Sequence, residues 1–565
     1  MIKYRINELR KNFNELKIEG YVVPKNDEFF SEYAKNDRLK TISNFSGSAG
    51  FAIILKKKNY LFVDGRYTLQ AQKESGKNFK IIEIHKKLPN KIIKNITLGL
   101  NPKLFTTKQL KYYFSNKTKI KLINIDLIDN IYSSKVNKSK PFYSLKKEIT
   151  GEDHRSKIRK VRKFIKSNKA DYLFVSAPEN VAWLLNIRGN DNPNSPLPNC
   201  RLLIGKGEEF FLVSNKFKAL RLIKEKKINS AQIIEPQKFD TTIKGLKNKN
   251  FIIDNKSCSI FYENMIKSRF KIKDKDDPCY LLKSIKNPTE ISHTVNAHIH
   301  DGVALTKFIY WIKNENKKII NEIDAQNKLE KFRKLNKNYL FPSFNTIAGT
   351  GSNGAIVHYK ALKEHTKIIR KKDIFLCDSG GQYKYGTTDV TRTICFSKQK
   401  KNIKNIFTKV LKGHIAVAQT NLNKDDTGKK IDVRARKFLK QDGLDYAHGT
   451  GHGVGFFLNV HEGPQSISKY NTIKIKYGMI LSNEPGYYKK DKFGIRIENL
   501  IYVKKNKKKL YFENLTLAPI EKELINFNLL NNQEKEYLFK YHLNVYSKIS
   551  KHLNLKERKW LANLI

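Results

Sequence analysis

The sequence predicts a protein of several domains in the α/β and α+β classes, with two related N-terminal α/β domains, a catalytic domain rich in strands and a C-terminal helical segment. Three observations lead to this prediction. The chain has 565 residues, more than one hydrophobic core usually organises. A helix followed by a strand occurs twice within roughly the first 280 residues, as in related α/β domains. Short β-patterned runs dominate the rest of the chain.

The first two domains are predicted from apolar spacing. One helical face carries Ile6, Leu9, Phe13 and Leu16, and Gly20 leads from it into the apolar strand 21–23. The pattern returns with Ile158, Val161 and Ile165, followed by the strand 172–175. We predict domains at 1–140 and 147–285, joined by the basic, turn-rich segment 135–146 as a linker.

A third domain is predicted at 286–505, beginning with a long helix. Residues at roughly helical spacing in it are Val295, Val303, Leu305, Phe308 and Ile312. The last segment, 506–565, contains an Asn-x-x-Glu capping signal at Asn531. One helical face follows it, with Leu538, Tyr541, Val545 and Ile549. This segment is predicted to form a helical cap.

Composition narrows the class of protein. Hydrophobic residues make up 39% and aromatic residues 11%, as in ordinary soluble proteins. No run approaches the roughly 18 apolar residues of a membrane span, and the N-terminal segment lacks a signal-type apolar stretch, so we expect a cytoplasmic protein without a membrane partner. Five cysteines without a CxxC pair argue against a disulfide framework or a thiolate zinc site.

The net charge of +57 raises nucleic acid as a partner. The lysines, however, are spread along the whole chain beside Asn and Ile, and no nucleic-acid-binding motif accompanies them. We therefore predict no dedicated nucleic-acid partner. The positive field would still attract acidic peptides.

Two aspartates are candidates for a functional site. Asp378 follows four apolar residues, and Asp389 lies eleven residues later beyond a glycine-rich turn. A hairpin would bring both carboxylates to one end. A carboxylate after such an apolar run needs a cation or a hydrogen-bond donor when buried. The pair alone fits an ion-paired loop equally well.

Histidines cluster in loop motifs of the third domain. His448 and His452 lie four residues apart among four glycines, a content that disfavours a helix and indicates a tight passage where the backbone approaches something closely. His358 and His461 lie in similar motifs. Clustering of this kind indicates metal binding or acid–base work rather than isolated core histidines.

Two further acidic residues end or flank strands. Glu484 follows the run 479–481 and precedes Pro485-Gly486. Arg496 and Glu498 alternate with isoleucines, which places them on one face of a strand. A surface strand with an ion pair is the alternative, but the apolar run 500–503 favours a buried functional face.

Together these residues offer four carboxylates and one imidazole: Asp378, Asp389, His452, Glu484 and Glu498. Two divalent ions roughly 3.5–4 Å apart could be bridged by two of the carboxylates, and a bridging water would become hydroxide near neutral pH. A set so rich in oxygen favours Mn²⁺ over metals that prefer thiolates.

The motifs resemble those of a known family. The strings CDSGGQY, TTDVTRT, HGTGHGVG, NVHEGP, NEPGYY and GIRIEN are similar to the five-ligand motifs of the pita-bread metallopeptidases, most closely of their Xaa-Pro aminopeptidase branch. The order Asp, Asp, His, Glu, Glu is matched without a gap. The strings NFSGSAGFAII, VDGRYTLQA and ENVAWLLNIRG resemble its two creatinase-like N-terminal domains, and LTLAPIEKELI its C-terminal segment.

The resemblance implies a role for each site residue. Asp378 would bind one metal, Asp389 and Glu498 both, and His452 and Glu484 the other. Glu484 would also handle the proton of the attacking hydroxide, and His461 would stabilise the scissile carbonyl or the tetrahedral intermediate. The substrate site would be lined by His358 and His448, which would assist proton transfer. The ligands would be held by Arg496, through Asp389 or Glu498, with support from Tyr488.

The implied activity is release of an N-terminal residue that precedes proline, by a homodimer. A prolidase-like dipeptidase is the alternative within the family; two preceding domains and the C-terminal segment disfavour it. Methionine aminopeptidase is disfavoured because its catalytic domain stands with little else. A catalytically inactive binding module is the alternative from another class, and five intact ligand positions argue against it.

Overall fold

The computed structural model describes residues 1–114, 117–132, 140–246, 250–315 and 319–565. These residues form two compact units, Met1–Tyr280 and Leu281–Ile565. Part of the predicted linker, 135–139, lies outside the described residues. Its other end contains a short strand, because Tyr143–Ser144 pairs with Ile187–Arg188.

The first sheet of unit 1 is covered by helices on both faces. Its elements are α1 (Ile2–Glu15), β1 (Gly20–Pro24), α2 (Arg38–Ser43), β2 (Phe51–Leu55), β3 (Asn59–Val63), α3 (Thr68–Ser75), β4 (Lys80–Glu83), β5 (Thr97–Leu100), α4 (Thr107–Tyr113) and β6 (Lys119–Leu122). In β1, Tyr21 and Val23 face one core and Val22 faces another. A strand buried on both faces reads as a continuous apolar run, which explains residues 21–23.

The second sheet repeats this topology. This part of the chain contains β7 (Tyr143–Ser144), α5 (Lys147–Thr150), α6 (His154–Ser167), β8 (Tyr172–Val175), α7 (Pro178–Leu185), β9 (Ile187–Arg188), β10 (Arg201–Gly205), β11 (Phe210–Val213), α8 (Lys216–Lys224), β12 (Ile233–Ile234), α9 (Phe239–Lys244), β13 (Asn250–Ile253), α10 (Ile260–Lys267), β14 (Lys271–Asp274) and α11 (Pro278–Ser284). Of these strands, β7 and β9 pair only with each other, outside the sheet. The strand orders are β4-β3-β2-β1-β5-β6 and β12-β11-β10-β8-β13-β14. Equivalent strands pair in the same directions, so the predicted relation between the two α/β parts is confirmed.

Unit 2 combines long helices with several antiparallel sheets. Its elements are α12 (Pro288–Asn314), α13 (Glu322–Lys334), β15 (Tyr339–Pro342), β16 (Ile347–Thr350), β17 (Ile374–Ser379), β18 (Gly381–Tyr383), β19 (Gly386–Thr387), β20 (Val390–Cys395), α14 (Lys401–Ala418), α15 (Gly428–Lys440), β21 (Gly451–Gly453), β22 (Glu462–Ile467), β23 (Ile480–Asn483), β24 (Gly486–Lys489), β25 (Phe493–Arg496), β26 (Asn499–Asn506), β27 (Lys509–Asn514), α16 (Asn532–Ile549) and α17 (Leu555–Ala562). The orders β16-β17-β20 and β22-β21-β23-β26-β27 describe the two sheets that carry most of the predicted site.

The predicted long helix is present as α12, with one residue on the wrong face. Val295 is 36% exposed, whereas Leu305, Phe308 and Ile312 are buried. The helix buries polar residues as well, among them Asp301. Helical spacing of apolar residues does not show that a polar residue is buried. The same criterion did not predict the lysine-rich helices α13, α14 and α15.

The C-terminal prediction is confirmed in detail. Asn531 caps α16, and its side chain and that of Glu534 form the reciprocal capping box. The predicted apolar face is buried: Leu538, Tyr541, Val545 and Ile549. All five cysteines are buried, and none of them forms a disulfide. Among the described residues, no helix has the length and apolar character needed to span a bilayer.

Candidate metal centre

The predicted ligand residues converge in unit 2. Ligand atoms lie within 4.8 Å of one another in three overlapping groups. These groups are Asp378–Asp389–Glu498, His452–Glu484–Glu498 and Asp389–His452–His461. Five side chains, each on or beside a different strand, therefore share one site, and His461 reaches it as well.

Strand pairing brings the two aspartates together. β17 and β20 are antiparallel, and Asp378 lies opposite Thr391. Asp389 precedes β20 by one residue, so both carboxylates lie at the same end of the pair, as predicted. Alternation along β17 turns Cys377 into the hydrophobic core and Asp378 away from it. The centre therefore receives a carboxylate and not the neighbouring thiol.

His452 and Glu484 come from neighbouring strands of the larger sheet. The backbone N–H of His452 donates to Ser482 Oγ at 2.9 Å, and Glu484 N donates to Thr450 O at 2.8 Å. The His452 Nδ1 atom lies 2.9 Å from Gly453 O, which leaves Nε2 facing Asp389 Oδ2 at 3.4 Å and Glu484 Oε1 at 3.5 Å. The imidazole is thus oriented with Nε2 toward the carboxylates.

The glycines of the histidine motif permit the close approach that the sequence predicts. A Cβ at Gly451 would lie 2.0 Å from Ser482 O, where no side chain fits. β21 can therefore lie against β23 only with glycine there.

Glu498 is held by the strand that follows Asp389. Thr391 Oγ1 donates to Glu498 Oε2 at 2.8 Å, and Glu498 N donates to Thr391 O at 3.1 Å. Glu498 is 2% exposed. Thr391 was not among the predicted site residues, although its position two residues after Asp389 on a strand was a usable signal.

Burial and the concentrated negative charge together shift the pKa values of these groups. Burial, together with the Asp378 charge and against the hydrogen bond to His452, raises the pKa of Asp389 to about 6. Burial followed by the charges of Asp389, Glu484 and Asp378 raises the pKa of Glu498 well above its usual value. Burial opposes protonation of His452, yet the hydrogen bond to Asp389 and the charge of Glu484 raise its pKa to about 9. Arg496 and His452 offset only part of the charge of four carboxylates, and divalent cations can supply the rest.

The donor set fits such cations. Asp378 Oδ1 is buried and has no hydrogen-bond partner among the described residues. A buried carboxylate oxygen without a partner costs free energy unless it binds a cation. Carboxylates and one imidazole, without a thiolate, are ligands that hard or borderline divalent ions accept.

Arg496 braces the centre, but through a different ligand from the one predicted. Its guanidinium donates to Asp378 Oδ2 at 2.6 Å and to Thr391 Oγ1 at 3.0 Å. The expected direct contact with Asp389 or Glu498 is therefore wrong; Glu498 is reached through the Thr391 hydroxyl. Tyr488 supports the network as predicted, since its hydroxyl accepts from Arg496 Nη1 at 2.5 Å.

The remaining predicted histidines lie around the centre. His448 Nε2 is 2.8 Å from the Tyr488 hydroxyl, and the residue is buried. The His461 ring lies 4.4 Å from that of His452 between centroids. His358 is half-buried and follows Val357, whose carbonyl accepts from Arg496 Nη2 at 3.4 Å.

A buried ion pair that sequence analysis missed fixes the histidine loop. Asp432 and Arg436, on α15, are 2.7 Å apart. Arg436 donates to His448 O at 2.7 Å, while Thr450 Oγ1 donates to Asp432 Oδ1 at 2.6 Å. Their i,i+4 spacing was a signal for the pair, but nothing local indicated the loop it holds.

Sequence profiles of known families cover nearly the whole chain. The Creatinase/Prolidase N-terminal domain matches 5–131 and 133–290, Metallopeptidase family M24 matches 293–505, and the C-terminal region of peptidase M24 matches 508–564.

Curated relatives match end to end. Xaa-Pro aminopeptidase 1 of Dictyostelium discoideum is 36% identical over 100% of this chain and 96% of its own length. Probable Xaa-Pro aminopeptidase P of Laccaria bicolor is 36% identical, with 97% and 90% covered.

Solved structures agree with this relation. X-prolyl aminopeptidase from Caenorhabditis elegans, described as a cytosolic enzyme with a di-nuclear active site, is 28% identical with a TM-score of 0.90, covering 100% of this chain and 99% of that one. Prolidase from Pyrococcus horikoshii is 27% identical with a TM-score of 0.53, covering 66% of this chain and 100% of that one. The predicted fold class, two creatinase-like domains before a pita-bread domain, is confirmed. The chain therefore belongs to metallopeptidase family M24 and is a peptidase hydrolase of the same build as the Xaa-Pro aminopeptidases.

Proposed function

We propose that the protein hydrolyses the bond between the N-terminal residue and a proline in second position of peptides. The observation that carries the proposal is the convergence of five ligand side chains in a chain whose whole length matches Xaa-Pro aminopeptidases. The five are Asp378, Asp389, His452, Glu484 and Glu498.

Two divalent ions would be held by these residues. The group Asp378–Asp389–Glu498 supports one ion and the group His452–Glu484–Glu498 supports another, with Glu498 common to both. Asp389 also belongs to a second group, with His452, which supports a bridging role. We propose Mn²⁺ as the ion because oxygen donors dominate.

When bound, the ions would polarise the scissile carbonyl. They would also lower the pKa of a bound water, so that hydroxide is available near neutral pH. Glu484 would accept the proton of this water. His461 would donate to the carbonyl oxygen as charge develops, and His358 would protonate the leaving proline nitrogen. His448, held by Tyr488, would line the substrate site.

Similarity to the Xaa-Pro aminopeptidases also supports proposals for the domain limits, the oligomeric state and the location. We propose domain limits at 1–140, 147–285, 286–505 and 506–565, a homodimer, and a cytoplasmic location. The similarity of the Caenorhabditis elegans enzyme, described as cytosolic, supports the last point.

A prolidase-like dipeptidase is the second candidate, because prolidase from Pyrococcus horikoshii shares the fold. That chain matches only 66% of this one. The full-length matches to aminopeptidases support the first candidate, and a tripeptide with proline in second position separates the two, since a strict dipeptidase leaves it uncut.

Xaa-Pro-Yaa peptides are expected to be cleaved at least ~10-fold faster than Xaa-Ala-Yaa peptides, a difference of about 1.4 kcal/mol in activation free energy. Proline offers no amide N–H, so a site that selects it must rely on ring contacts and on protonation of a tertiary nitrogen. Contacts with a small apolar group supply roughly 1–3 kcal/mol. The measurement is kcat/KM for both peptide series with Mn²⁺ present. Equal rates would identify a general aminopeptidase.

His461→Ala is expected to keep both metal ions while lowering kcat at least ~10-fold, because the proposed role of His461 is at the substrate carbonyl. Its proximity to Asp389 and His452 makes metal binding the competing role. Elemental analysis after gel filtration, beside turnover, decides between them. The exposed His85 provides the control, since His85→Ala should change neither quantity. Loss of one metal equivalent would make His461 a ligand.

A further inference from the structure

Glu322 is a buried carboxylate that sequence analysis did not single out. It is the first residue of α13 and is 0% exposed. Four groups donate to it, all from the segment 350–367. They are Thr350 N at 2.8 Å, Asn353 Nδ2 at 3.0 Å, the Tyr359 hydroxyl at 2.8 Å and Lys367 N at 3.0 Å.

These hydrogen bonds hold both ends and the middle of the loop 350–367. Thr350 ends β16, Lys367 lies at the far end of the segment, and Tyr359 lies between them. The carbonyl oxygen of His365 lies 3.1 Å from the same Tyr359 hydroxyl oxygen. Glu322 therefore organises the segment as a whole rather than a single turn.

His358 is the residue next to Tyr359, and both of its neighbours are held. Val357 O accepts from Arg496, the same side chain that donates to Asp378. The Tyr359 ring packs in a cluster with Leu376, two residues before Asp378 on β17. The backbone of His358 is thus held on one side through Val357 and Arg496, which contacts Asp378. On the other side it is held through Tyr359, which contacts Glu322.

The loop also lies directly on the strand that carries Arg496. A Cβ at Gly494 would lie 1.8 Å from Gly354 O, so the short 3₁₀ helix Gly351–Ala355 touches β25 without an intervening side chain. A shift of the loop would therefore change the distance from His358 to the centre, and misplacement by about 1 Å can cost roughly 10²-fold in rate.

We propose that Glu322 is a positioning residue that holds His358 at the place where it acts on the substrate. The inference rests on the proposed aminopeptidase function and adds a residue to it. The described hydrogen bonds of the Glu322 side chain all go to the loop and none goes to a proposed metal ligand, so Glu322 acts through the loop.

A double-mutant cycle tests this. Glu322→Gln keeps the size of the side chain but turns an amide NH₂ toward groups that are donors. We expect it to lower kcat for an Xaa-Pro-Yaa peptide at least ~10-fold in the wild-type background, with KM changed less than ~3-fold. In the His358→Ala background the same change should cost less than ~2-fold, because the group it positions is already gone. Metal content should stay at the wild-type value.

Glu330→Gln is the matched control, since Glu330 also lies on α13 and accepts a side-chain hydrogen bond, from Tyr339 at 2.7 Å. It should leave kcat within ~2-fold in both backgrounds. If Glu322→Gln fails to fold, Tyr359→Phe replaces it in the cycle. Removal of that one hydroxyl should lower kcat ~3-fold when His358 is present and leave kcat unchanged in the His358→Ala background.

Equal losses in both backgrounds, an unchanged kcat in Glu322→Gln, or a His358→Ala variant as active as wild type would each overturn the inference. The proposed function is judged separately by the wild-type protein. A metal-loaded wild type that leaves Xaa-Pro-Yaa peptides uncut would overturn the function, and the positioning role with it.

Discussion

Replacing Glu484 with Gln is expected to lower kcat at least ~10²-fold. The substitution removes a proposed metal ligand and the proposed proton acceptor together, and general acid–base catalysis alone contributes typically 10²–10⁴-fold. Glu484 is fixed for both tasks, because its backbone N–H donates to Thr450 and Oε1 accepts from Ser482 Oγ at 3.1 Å. Kinetics on an Xaa-Pro-Yaa peptide, with metal content measured on the same sample, give the result.

The control for this change is Glu513→Gln. Glu513 belongs to β27 of the same sheet and forms a partly exposed ion pair with Lys504. Such pairs contribute little, so its kcat should remain within ~2-fold of wild type. A Glu484→Gln enzyme that keeps more than half of the wild-type rate would remove Glu484 from the mechanism.

Replacing Arg333 with Leu is expected to lower the free energy of unfolding of unit 2 by about 3–5 kcal/mol. Arg333 donates to Asp301 at 2.8 Å and both are buried, so its loss leaves a carboxylate without its cation. Burial opposes the charge of the Arg333 guanidinium, but the Asp301 charge beside it raises the pKa of Arg333 above its usual value, so Arg333 stays charged. Arg333 also donates to Ser379, next to Asp378, so metal affinity should fall as well.

Urea unfolding followed by circular dichroism measures this effect. Lys331→Leu, at an exposed position of the same helix, should shift stability by less than ~0.5 kcal/mol. The double variant Asp301→Leu/Arg333→Leu should be more stable than Arg333→Leu by at least ~1 kcal/mol, because the unpaired buried charge is gone. A single Arg333→Leu variant as stable as the Lys331 control would show that the pair contributes nothing.

Much of the fold followed from local pattern. Apolar periodicity correctly predicted the repeated helix and strand, the strands β1 and β8, and the capped helix α16. It did so because an element that buries one face or both faces has a characteristic spacing of apolar residues. Val295 was predicted on the buried face but is exposed, and the helices α13 to α15 were not predicted. Spacing of apolar residues alone does not show buried polar residues such as Asp301 or the apolar stems of lysines.

By itself the sequence determined the kind of site: which carboxylates and histidines follow strands, in which order, and with glycines where backbones approach. Those features are local, since a residue's place on a strand or turn is set by its neighbours. Only the tertiary structure decided which polar group pairs with which. Arg496 selects Asp378 rather than Asp389, and Glu322 holds a loop up to 45 residues away in sequence. Hydrogen bonds between distant segments depend on how the sheets and helices pack, and no spacing along the chain records that packing.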